Sequence, residues 1–325
     1  MKRIIAILTT TLAFAVPAQA TTFLTRTFVS SAGSDSNPCT ITLPCQSFAH
    51  AYSLTLSSGI VTALDPGRYG PLIIGGPVTI NGNGWASITA PAGGAGIQVN
   101  AALTDKVQLI GLNVDGAGAG YNGIVFIAGS SLDVTNCVLQ NFVSDGSQTS
   151  GNGILLEPMS GTMSFTITNT TASNNRNAGI AYLPLSGAPS ATGVIDHVVA
   201  TRNGGGGIIV LTDLPAAGGS AFVSISNSIV SNNSGNTVGM AFSNASGAPM
   251  LVSIDNTSIT GNFAGINALN NSKVILGRSV ITGNNQGVIN QTSPNTFYTY
   301  KDNRISGNTS GADIQGALNA TVALQ

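Results

Sequence analysis

The sequence predicts an all-β solenoid, a parallel β-helix in which short strands of successive coils stack into sheets. Three observations lead to this prediction. A unit of apolar runs followed by an Asn-rich turn recurs from about residue 97 to the end of the 325-residue chain. Within each unit apolar and polar residues alternate, which is the period of a strand and not of a helix. The units repeat at intervals of 22 to 33 residues, as expected for similar coils joined by loops of variable length.

A recurring asparagine aligns the units with one another. The anchor is the residue after the second apolar run, and its equivalents are Gly111, Asn136, Asn169, His197, Asn227, Asn256, Arg278 and Asp302. Six residues later a second asparagine recurs, at Asn175, Asn203, Asn233, Asn262, Asn284 and Asn308. A glycine and an apolar residue soon follow, as in Gly179-Ile180. The regularity predicts that equivalent residues lie above one another in the solenoid.

Three short strands are expected in each unit, with their apolar side chains inside the coil. The first strand supplies inward pairs such as Ile154/Leu156, Ile180/Tyr182, Ile208/Val210 and Met240/Phe242. The second and third strands supply pairs such as Phe165/Ile167, Val252/Ile254, Thr170/Ala172 and Val198/Ala200. Leucine-rich repeats have a similar period, but the helix in each of their units requires a 3.6-residue pattern that is absent here.

Over residues 60–325 this pattern resembles the right-handed parallel β-helix of the pectin-lyase-like superfamily, with three sheets and stacked asparagines at a tight turn. Asparagine suits that turn because it tolerates left-handed backbone angles and because stacked amides bond each other. His197, Arg278 and Asp302 interrupt the column. The resemblance implies a fold and no particular activity, since this fold supports many functions.

Residues 1–20 are predicted to be a secretory signal peptide. Lys2 and Arg3 precede the apolar run Ile4–Val16, and the small residues before the site after Ala20 suit cleavage there. We therefore expect an exported protein, located in the periplasm, at the cell surface or outside the cell. No other apolar stretch is long enough for a membrane span. The mature chain would carry nine basic and 12 acidic residues, which offers no basic patch for nucleic acid.

Residues 21–70 are predicted to form an N-terminal cap, and residues 71–325 the parallel β-helix. The cap segment resembles the opening segment of many secreted bacterial β-helix proteins, in which a short strand and an amphipathic helix close the solenoid. Pro44 before the run, Phe48 and Tyr52 one helical turn apart, and Gly59 at the end suit such a helix. A cap is needed because the first coil otherwise exposes its core and its strand edges. The tail at 312–325 is expected to cover the other end.

Cys39 and Cys45 are expected to form a disulfide, because they lie close together in a turn-rich segment of an exported protein. The small loop limits its stabilisation to about 2–3 kcal/mol. The alternative is a redox or metal pair, but the C-x-x-C spacing and a histidine partner are lacking. Cys137 is expected to be a buried, inert thiol. His50, in the cap helix, is expected to be a packed or surface residue.

The outward face of the first strand is the place where the resemblance implies catalysis, through several Asp with Arg or Lys and often Ca²⁺. A lyase must neutralise a uronate, and a hydrolase needs two nearby carboxyls. Glu157 is the only ionisable residue among the fourteen outward places Val125, Leu155, Ala181, Ile209, Ala241, Asn267, Ile289, Ile127, Glu157, Leu183, Leu211, Ser243, Leu269 and Gln291. This apolar stripe is a poor site for acidic-sugar chemistry.

Two explanations account for an apolar outer stripe. The long loops at 158–162, 184–192, 212–220 and 244–249 carry Pro, Leu and Met and are able to fold over it. Alternatively, the stripe is a contact surface for self-association or for a partner such as a polysaccharide.

The second strand offers the best enzymatic candidates. Asp196 and Asp255 are predicted to share an outward column two coils apart, at a separation of about 10 Å. They would act as acid and base, with His197 and Arg202 contacting the substrate. Scattered Asp and Ser on an outer strand also serve solvation and edge protection. Calcium-binding G-G-x-G-x-D repeats are absent, since the run at 204–207 lacks the Asp, and we expect neither a metal nor a cofactor.

These observations lead to three functional hypotheses. The first is a secreted β-helix without a catalytic site, serving as a surface, matrix or glycan-contacting module. The second is a polysaccharide lyase or glycoside hydrolase. The third is a subunit of a trimeric β-helical fibre.

Overall fold

The computed structural model describes residues 23–185, 187, 189–213, 219–233, 237–309 and 311–320. The predicted signal peptide lies outside these residues. Thirty strands and one short helix, Phe48–Ser53, make up the described part, and every strand pairing in it is parallel. The predicted parallel β-helix with a short N-terminal helix is confirmed. The helix has six residues, and no helix in the described chain has the length and apolarity that a membrane crossing needs.

The first sheet contains the strands that follow the glycine of each unit. Each of its strands pairs with the equivalent strand one coil away, so that Ile154 lies beside Ile180 and Ile180 beside Ile208. Among the described residues it has ten strands: Leu72–Ile74, Ala95–Asn100, Asn122–Ala128, Asn152–Leu156, Ala178–Tyr182, Gly206–Leu211, Val238–Asn244, Ala264–Asn270, Gln286–Thr292 and Ile314–Gln315.

The second and third sheets are joined, because the two long strands Val78–Thr89 and Lys106–Asp115 pass round the corner between them. The other second-sheet strands are Leu24–Val29, Thr55–Ala63, Ser131–Thr135, Thr162–Thr168, Ser190–Asp196, Ala221–Ser226, Met250–Asp255, Lys273–Gly277, Phe297–Thr299 and Asn319–Ala320. The other third-sheet strands are Gly67–Arg68, Val138–Gln140, Thr171–Ser173, Val199–Thr201, Ile229–Ser231, Ser258–Thr260, Val280–Thr282 and Arg304–Ile305.

The interior of the coil is a continuous apolar core. The inward places predicted for the first strand are buried, including Ile154, Tyr182 and Phe242. Cys137 is also buried, as predicted, and burial raises the pKa of its thiol to about 11. Because each coil shares this core with its neighbours, stability comes from stacking and not from any single coil.

The anchor column forms the corner between the second and third sheets. Its residues have left-handed backbone angles, with φ of 49° at Asn169 and 48° at Asn227. His197 and Arg278 adopt the same conformation, with φ of 51° and 47°. In the last of these coils the left-handed residue is Lys301, with φ of 65°, one residue before the predicted Asp302. The pairing of Val280 with Arg304 in the third sheet still places Asp302 level with Arg278. The column is thus defined by backbone geometry, for which asparagine is the preferred residue.

The second asparagine column forms a buried amide ladder. The backbone N and the Nδ2 of each asparagine donate to the Oδ1 of the next, as Asn203 does to Asn233 at 3.0 and 3.1 Å. The ladder ends at the Oδ1 of Asp313, which accepts both bonds from Asn308. The amides that stack in the core therefore belong mainly to this column and not to the exposed anchor column. Its members are Asn175, Asn203, Asn233, Asn262, Asn284 and Asn308.

The ladder explains the glycine at the second position of first-sheet strands such as Asn152–Leu156 and Ala178–Tyr182. A Cβ placed on Gly179 would lie 2.7 Å from the carbonyl oxygen of Gly207 and 2.9 Å from the Nδ2 of Asn203. Gly153 meets the same obstacles one coil earlier, at 2.6 Å from the carbonyl oxygen of Gly179. The Gly-apolar motif of the sequence is thus a steric consequence of the close backbone approach beside the ladder.

The cap closes the N-terminal end of the core. Helix Phe48–Ser53 buries Phe48 and Ala51, and the ring centroid of Phe48 lies 5.1 Å from that of Tyr69. Ser47 Oγ caps the helix by accepting a hydrogen bond from the backbone N of His50. The predicted disulfide between Cys39 and Cys45 is confirmed. The cap strands Leu24–Val29 and Thr55–Ala63 continue the second sheet, so the cap and the coil share one core.

Asp65 holds the turn after strand Thr55–Ala63 to the segment that follows strand Leu24–Val29, both within the cap. Its carboxylate accepts hydrogen bonds from Ser30 Oγ, from Ser31 N at 2.8 Å and from Tyr69 OH at 2.6 Å. These bonds, that from Ser30 first, lower the pKa of Asp65 to about 2. A carboxyl with a lowered pKa stabilises the fold above its unfolded pKa of about 3.9. This contribution is lost as the pH falls through about 2.

We therefore expect the melting temperature of the protein to fall as the pH is lowered from about 4 to about 2. Asp65→Asn removes the ionisation and should melt lower at pH 6 but lose less on acidification. Thermal melts of both proteins followed by circular dichroism between pH 2 and 6 measure this difference. If the melting temperatures of the two proteins fell by the same amount on acidification, Asp65 would not have the role given to it.

Candidate functional site

The outward face of the first sheet is covered at its centre. Leu155 and Ala181 are each 1% exposed, and they pack with Val125, Leu183 and Ala178 in a small apolar cluster outside the main core. Some residues of the loops predicted to cover this stripe, 186, 188 and 214–218, lie outside the described part of the chain. The burial leaves little open apolar surface for a partner at the middle of the stripe.

Glu157 is the one carboxyl predicted for this face. It follows strand Asn152–Leu156, is half-buried, and its side chain makes no hydrogen bond with any described residue. Burial raises its pKa. A single carboxyl without a basic neighbour does not supply the paired groups that glycoside hydrolysis requires.

Asp196 and Asp255 do share one outward column of the second sheet, with Ser226 between them. The Oδ1 of Asp196 accepts hydrogen bonds from Ser226 Oγ and Asn227 Nδ2, both at 2.7 Å, and its Oδ2 lies 2.7 Å from His197 Nδ1. These bonds, led by that from Ser226, lower the pKa of Asp196 to about 2. A general acid needs the opposite shift.

Asp255 is paired with Arg278, and this interaction lowers the pKa of the carboxyl. The backbone N of Arg278 also donates to Asp302 at 2.9 Å. Arg202 instead donates from Nε to Asn174 Oδ1 at 2.9 Å. The structure thus brings His197 to Asp196 and Arg278 to Asp255, but Arg202 is bound to neither carboxylate. The sequence analysis did not predict Arg278 as the partner of Asp255. The available signal was the position of Arg278 in the anchor column, one coil beyond Asn256, which follows Asp255 directly.

A groove crosses the outer face of the second sheet beside the cap. It consists of two adjoining hollows of about 510 and 530 Å³, which share Ser57, Pro77 and Asp105. We call it the cap-side groove, and its polar and aromatic lining includes Tyr52, Ser57, Thr79, Asp105, Lys106, Gln108 and Asp133.

The floor of the cap-side groove is a row of polar side chains from three neighbouring strands. Thr79, Gln108 and Asp133 are in register. Thr79 Oγ1 donates to Gln108 Oε1 at 3.1 Å, and Gln108 Nε2 approaches Asp133 Oδ2 at 3.5 Å. Alternation places these side chains outward while Val107 and Leu109 enter the core. Lys106 lies at the start of one of these strands and is exposed.

Tyr52 forms the cap side of the groove. Its hydroxyl accepts a hydrogen bond from the backbone N of Gly75 at 3.1 Å, which fixes the ring between the cap helix and the first coil. The sequence analysis did not predict this groove. The alternation in Lys106-Val-Gln-Leu was a usable signal for two of its residues, whereas the contribution of the cap required the structure.

One group of three side chains in the described chain has the composition of a metal site. Cys39, Cys45 and His50 place their potential ligand atoms within 4.8 Å of one another. The sequence had offered no histidine partner for the two cysteines, and this was wrong, because the cap helix brings His50 beside them. In the structure the two sulfurs are joined in the disulfide.

Comparison with known proteins identifies the fold. No profile of a known protein family matches the sequence, and no curated protein is similar to it in sequence. A rhamnogalacturonan lyase matches in structure with a TM-score of 0.52, over 92% of this chain and 86% of its own, at 11% identity. The chain has the pectin-lyase-like right-handed parallel β-helix fold.

Other solved structures are similar to this pectin-lyase-like β-helix. A pectate lyase has 19% identity and a TM-score of 0.45, with 91% of this chain and 77% of its own covered. A mannuronan C-5 epimerase module from Azotobacter vinelandii has 14% identity and a TM-score of 0.45, with 82% and 91% covered. Because one fold supports many activities, the match to the rhamnogalacturonan lyase at 11% identity shows the fold alone.

Proposed function

We propose that this pectin-lyase-like β-helix is an exported, non-catalytic protein that binds carbohydrate along its cap-side groove. The observation that carries the proposal is the groove itself, in which the in-register side chains of Thr79, Gln108 and Asp133 line one hollow and a second hollow adjoins it on the side of Tyr52. An extended polar groove suits a linear oligosaccharide better than a compact ligand.

The lining has the chemistry that sugar hydroxyls require. Gln108 offers both a donor and an acceptor, Asp133 accepts, and Lys106 donates. Tyr52 provides an aromatic ring at one side. Adjacent coils are about 4.8 Å apart, so a saccharide lying across the strands meets a new polar side chain at each coil.

The charge of the groove favours a neutral glycan over an acidic one. Its charged side chains are Asp105, Lys106 and Asp133, two carboxylates against one ammonium group. A uronate would be repelled by the excess negative charge, and a single lysine is a poor counterpart for a chain of carboxylates.

Export and the absence of catalysis are parts of the same proposal. The signal peptide predicted at residues 1–20 and the disulfide between Cys39 and Cys45 support an oxidising location outside the cytoplasm. The apolar cluster on the first sheet and the hydrogen-bonded state of Asp196 support a protein without catalysis at these two places.

The alternative is a polysaccharide lyase or glycoside hydrolase that uses Asp196 and Asp255 as acid and base, with His197 and Arg202 at the substrate. The common column of the two carboxylates favours it. We expect no release of reducing ends or unsaturated products from a panel of polysaccharides. A measurable activity that disappears in Asp196→Asn/Asp255→Asn, while glycan binding persists, would replace our proposal with this one.

Replacing two groove residues should abolish most of the binding. Lys106→Ala combined with Gln108→Ala removes the central donors, and at about 1 kcal/mol for each hydrogen bond the affinity should fall at least tenfold. Affinity electrophoresis in gels that contain neutral polysaccharides measures the change.

Lys273→Ala is the matched control for the groove variant. Lys273 occupies the same outward column as Lys106, several coils away, and should bind as the wild type does. If every polysaccharide that retards the wild type in the gel retarded the groove variant equally, the groove would not be the binding site.

A further inference from the structure

The cap holds a cluster that the proposed carbohydrate binding does not use. Cys39 and Cys45 are fully buried, and His50 reaches them from the cap helix and is half-buried. Thiolate and imidazole ligands in this combination are typical of zinc sites. The disulfide occupies the sulfurs in the oxidised protein, so any metal chemistry belongs to the reduced state.

The positions of the two cysteines do not depend on the disulfide alone. The carbonyl oxygen of Cys39 accepts from Phe28 N, the N of Cys45 donates to the carbonyl oxygen of Phe28, and the carbonyl oxygen of Cys45 accepts from Ser30 N, each at 2.9 Å. These three backbone bonds attach both cysteines to strand Leu24–Val29. After reduction they keep the thiols next to each other.

The helix that carries His50 is held in place by Asp35, independently of the disulfide. Asp35 accepts hydrogen bonds from Gln46 N and Ser47 N, both at 2.9 Å, and from Ser47 Oγ at 2.8 Å. Ser47 in turn caps the helix that carries His50. These contacts fix the start of the helix and with it the backbone of His50.

We propose that the reduced cap binds one Zn²⁺ through Cys39, Cys45 and His50. A dithiol reductant supplies two electrons and two protons to the disulfide and is itself oxidised to a disulfide. Zn²⁺ then bonds to both sulfurs and to an imidazole nitrogen, and the two thiol protons are released to solvent. The partly exposed side of His50 provides access, and a water molecule completes the four-coordinate site.

The cluster thus makes the cap a redox-gated metal site. In the oxidised protein the disulfide between Cys39 and Cys45 prevents metal binding. In the reduced protein the bound metal would connect the loop that carries both cysteines to the helix that carries His50. Zn²⁺ bound in this way would stabilise the reduced cap, because it binds the folded arrangement of ligands and not the unfolded chain.

Titration of the purified protein with Co²⁺, a spectroscopic substitute for Zn²⁺, tests the proposal. The protein carries Cys137→Ser, so that only the two cap cysteines remain, and is reduced with a phosphine that does not chelate metals. We expect a thiolate-to-cobalt absorption band that saturates at one equivalent in the reduced protein and is displaced by Zn²⁺. The oxidised protein should give no band.

Histidine variants provide the matched comparison, since the chain has two histidines. His50→Ala should weaken metal binding at least tenfold, whereas His197→Ala should leave it unchanged. Circular dichroism before metal addition reports whether the reduced cap stays folded. No band in the folded reduced protein, equal affinity in His50→Ala, or unfolding of the cap on reduction alone would each overturn the proposal. Failure of the metal site in a folded cap does not bear on glycan binding, which is measured with the oxidised protein.

Discussion

Asn203→Ala should lower the free energy of unfolding by about 3 to 4 kcal/mol. Asn203 is fully buried and is bonded to a ladder asparagine on either side. It donates to Asn233 Oδ1 and to the carbonyl oxygen of Ala172, and its Oδ1 accepts two bonds from Asn175, at 3.2 and 2.9 Å. Alanine leaves these buried groups without partners, and each unpaired group costs about 1–3 kcal/mol.

Urea unfolding followed by circular dichroism measures this loss. Asn256→Gly is the control, because Asn256 is an exposed member of the anchor column and glycine tolerates its φ of 45°. The control should change stability by less than about 1 kcal/mol. A comparable loss in both variants would show that the ladder is no more important than the exposed corner.

Gly179→Ala should lower the free energy of unfolding by about 2 to 3 kcal/mol through overpacking alone. The added Cβ would lie 2.7 Å from the carbonyl oxygen of Gly207, a backbone atom that is unable to rotate away. It would also press on Asn203 Nδ2 at 2.9 Å, and so the change strains two coils and the ladder between them.

Gly75→Ala separates steric strain from the general effect of replacing glycine. A Cβ on Gly75 meets nothing within 4 Å, so this variant should be neutral or slightly more stable. The same urea titration measures both variants. If Gly179→Ala were as stable as Gly75→Ala, the explanation of the Gly-apolar motif would be wrong.

The sequence predicted the features that repeat in every coil. Alternation assigned Ile180 and Phe242 to the interior, and the spacing of asparagines revealed both columns. The bonded amides were expected in the anchor column, whereas the structure has them in the column that includes Asn203. Such features are predictable because stacking requires the same pattern of inward and turn residues in each coil. The left-handed conformation at Lys301, one residue before Asp302, shows the limit of this pattern in the last coils, where it weakens.

The candidate site was less accessible from the sequence, because it is assembled from parts that do not repeat. The cap-side groove combines Tyr52 of the cap helix with Gln108 and Asp133 of two different coils. The approach of His50 to the disulfide likewise depends on how the cap folds back. An alignment of the coils in the sequence does not show that these residues lie close together.

The placement of Asp196 illustrates a different limit. Its outward column was predicted correctly, but its three hydrogen-bond partners and lowered pKa were not. A carboxylate on an outer strand has the same sequence signature whether it awaits a substrate or is bound by its neighbours. Only the geometry of Ser226, Asn227 and His197 around it distinguishes the two states.

A crystal structure of the protein with a neutral oligosaccharide that it retains is the most direct test of the proposed function. We predict electron density for an intact saccharide in the cap-side groove, in contact with Lys106 and Gln108. Density over the first sheet, density beside Asp196 and Asp255, or a shortened product in place of the supplied oligosaccharide would contradict it.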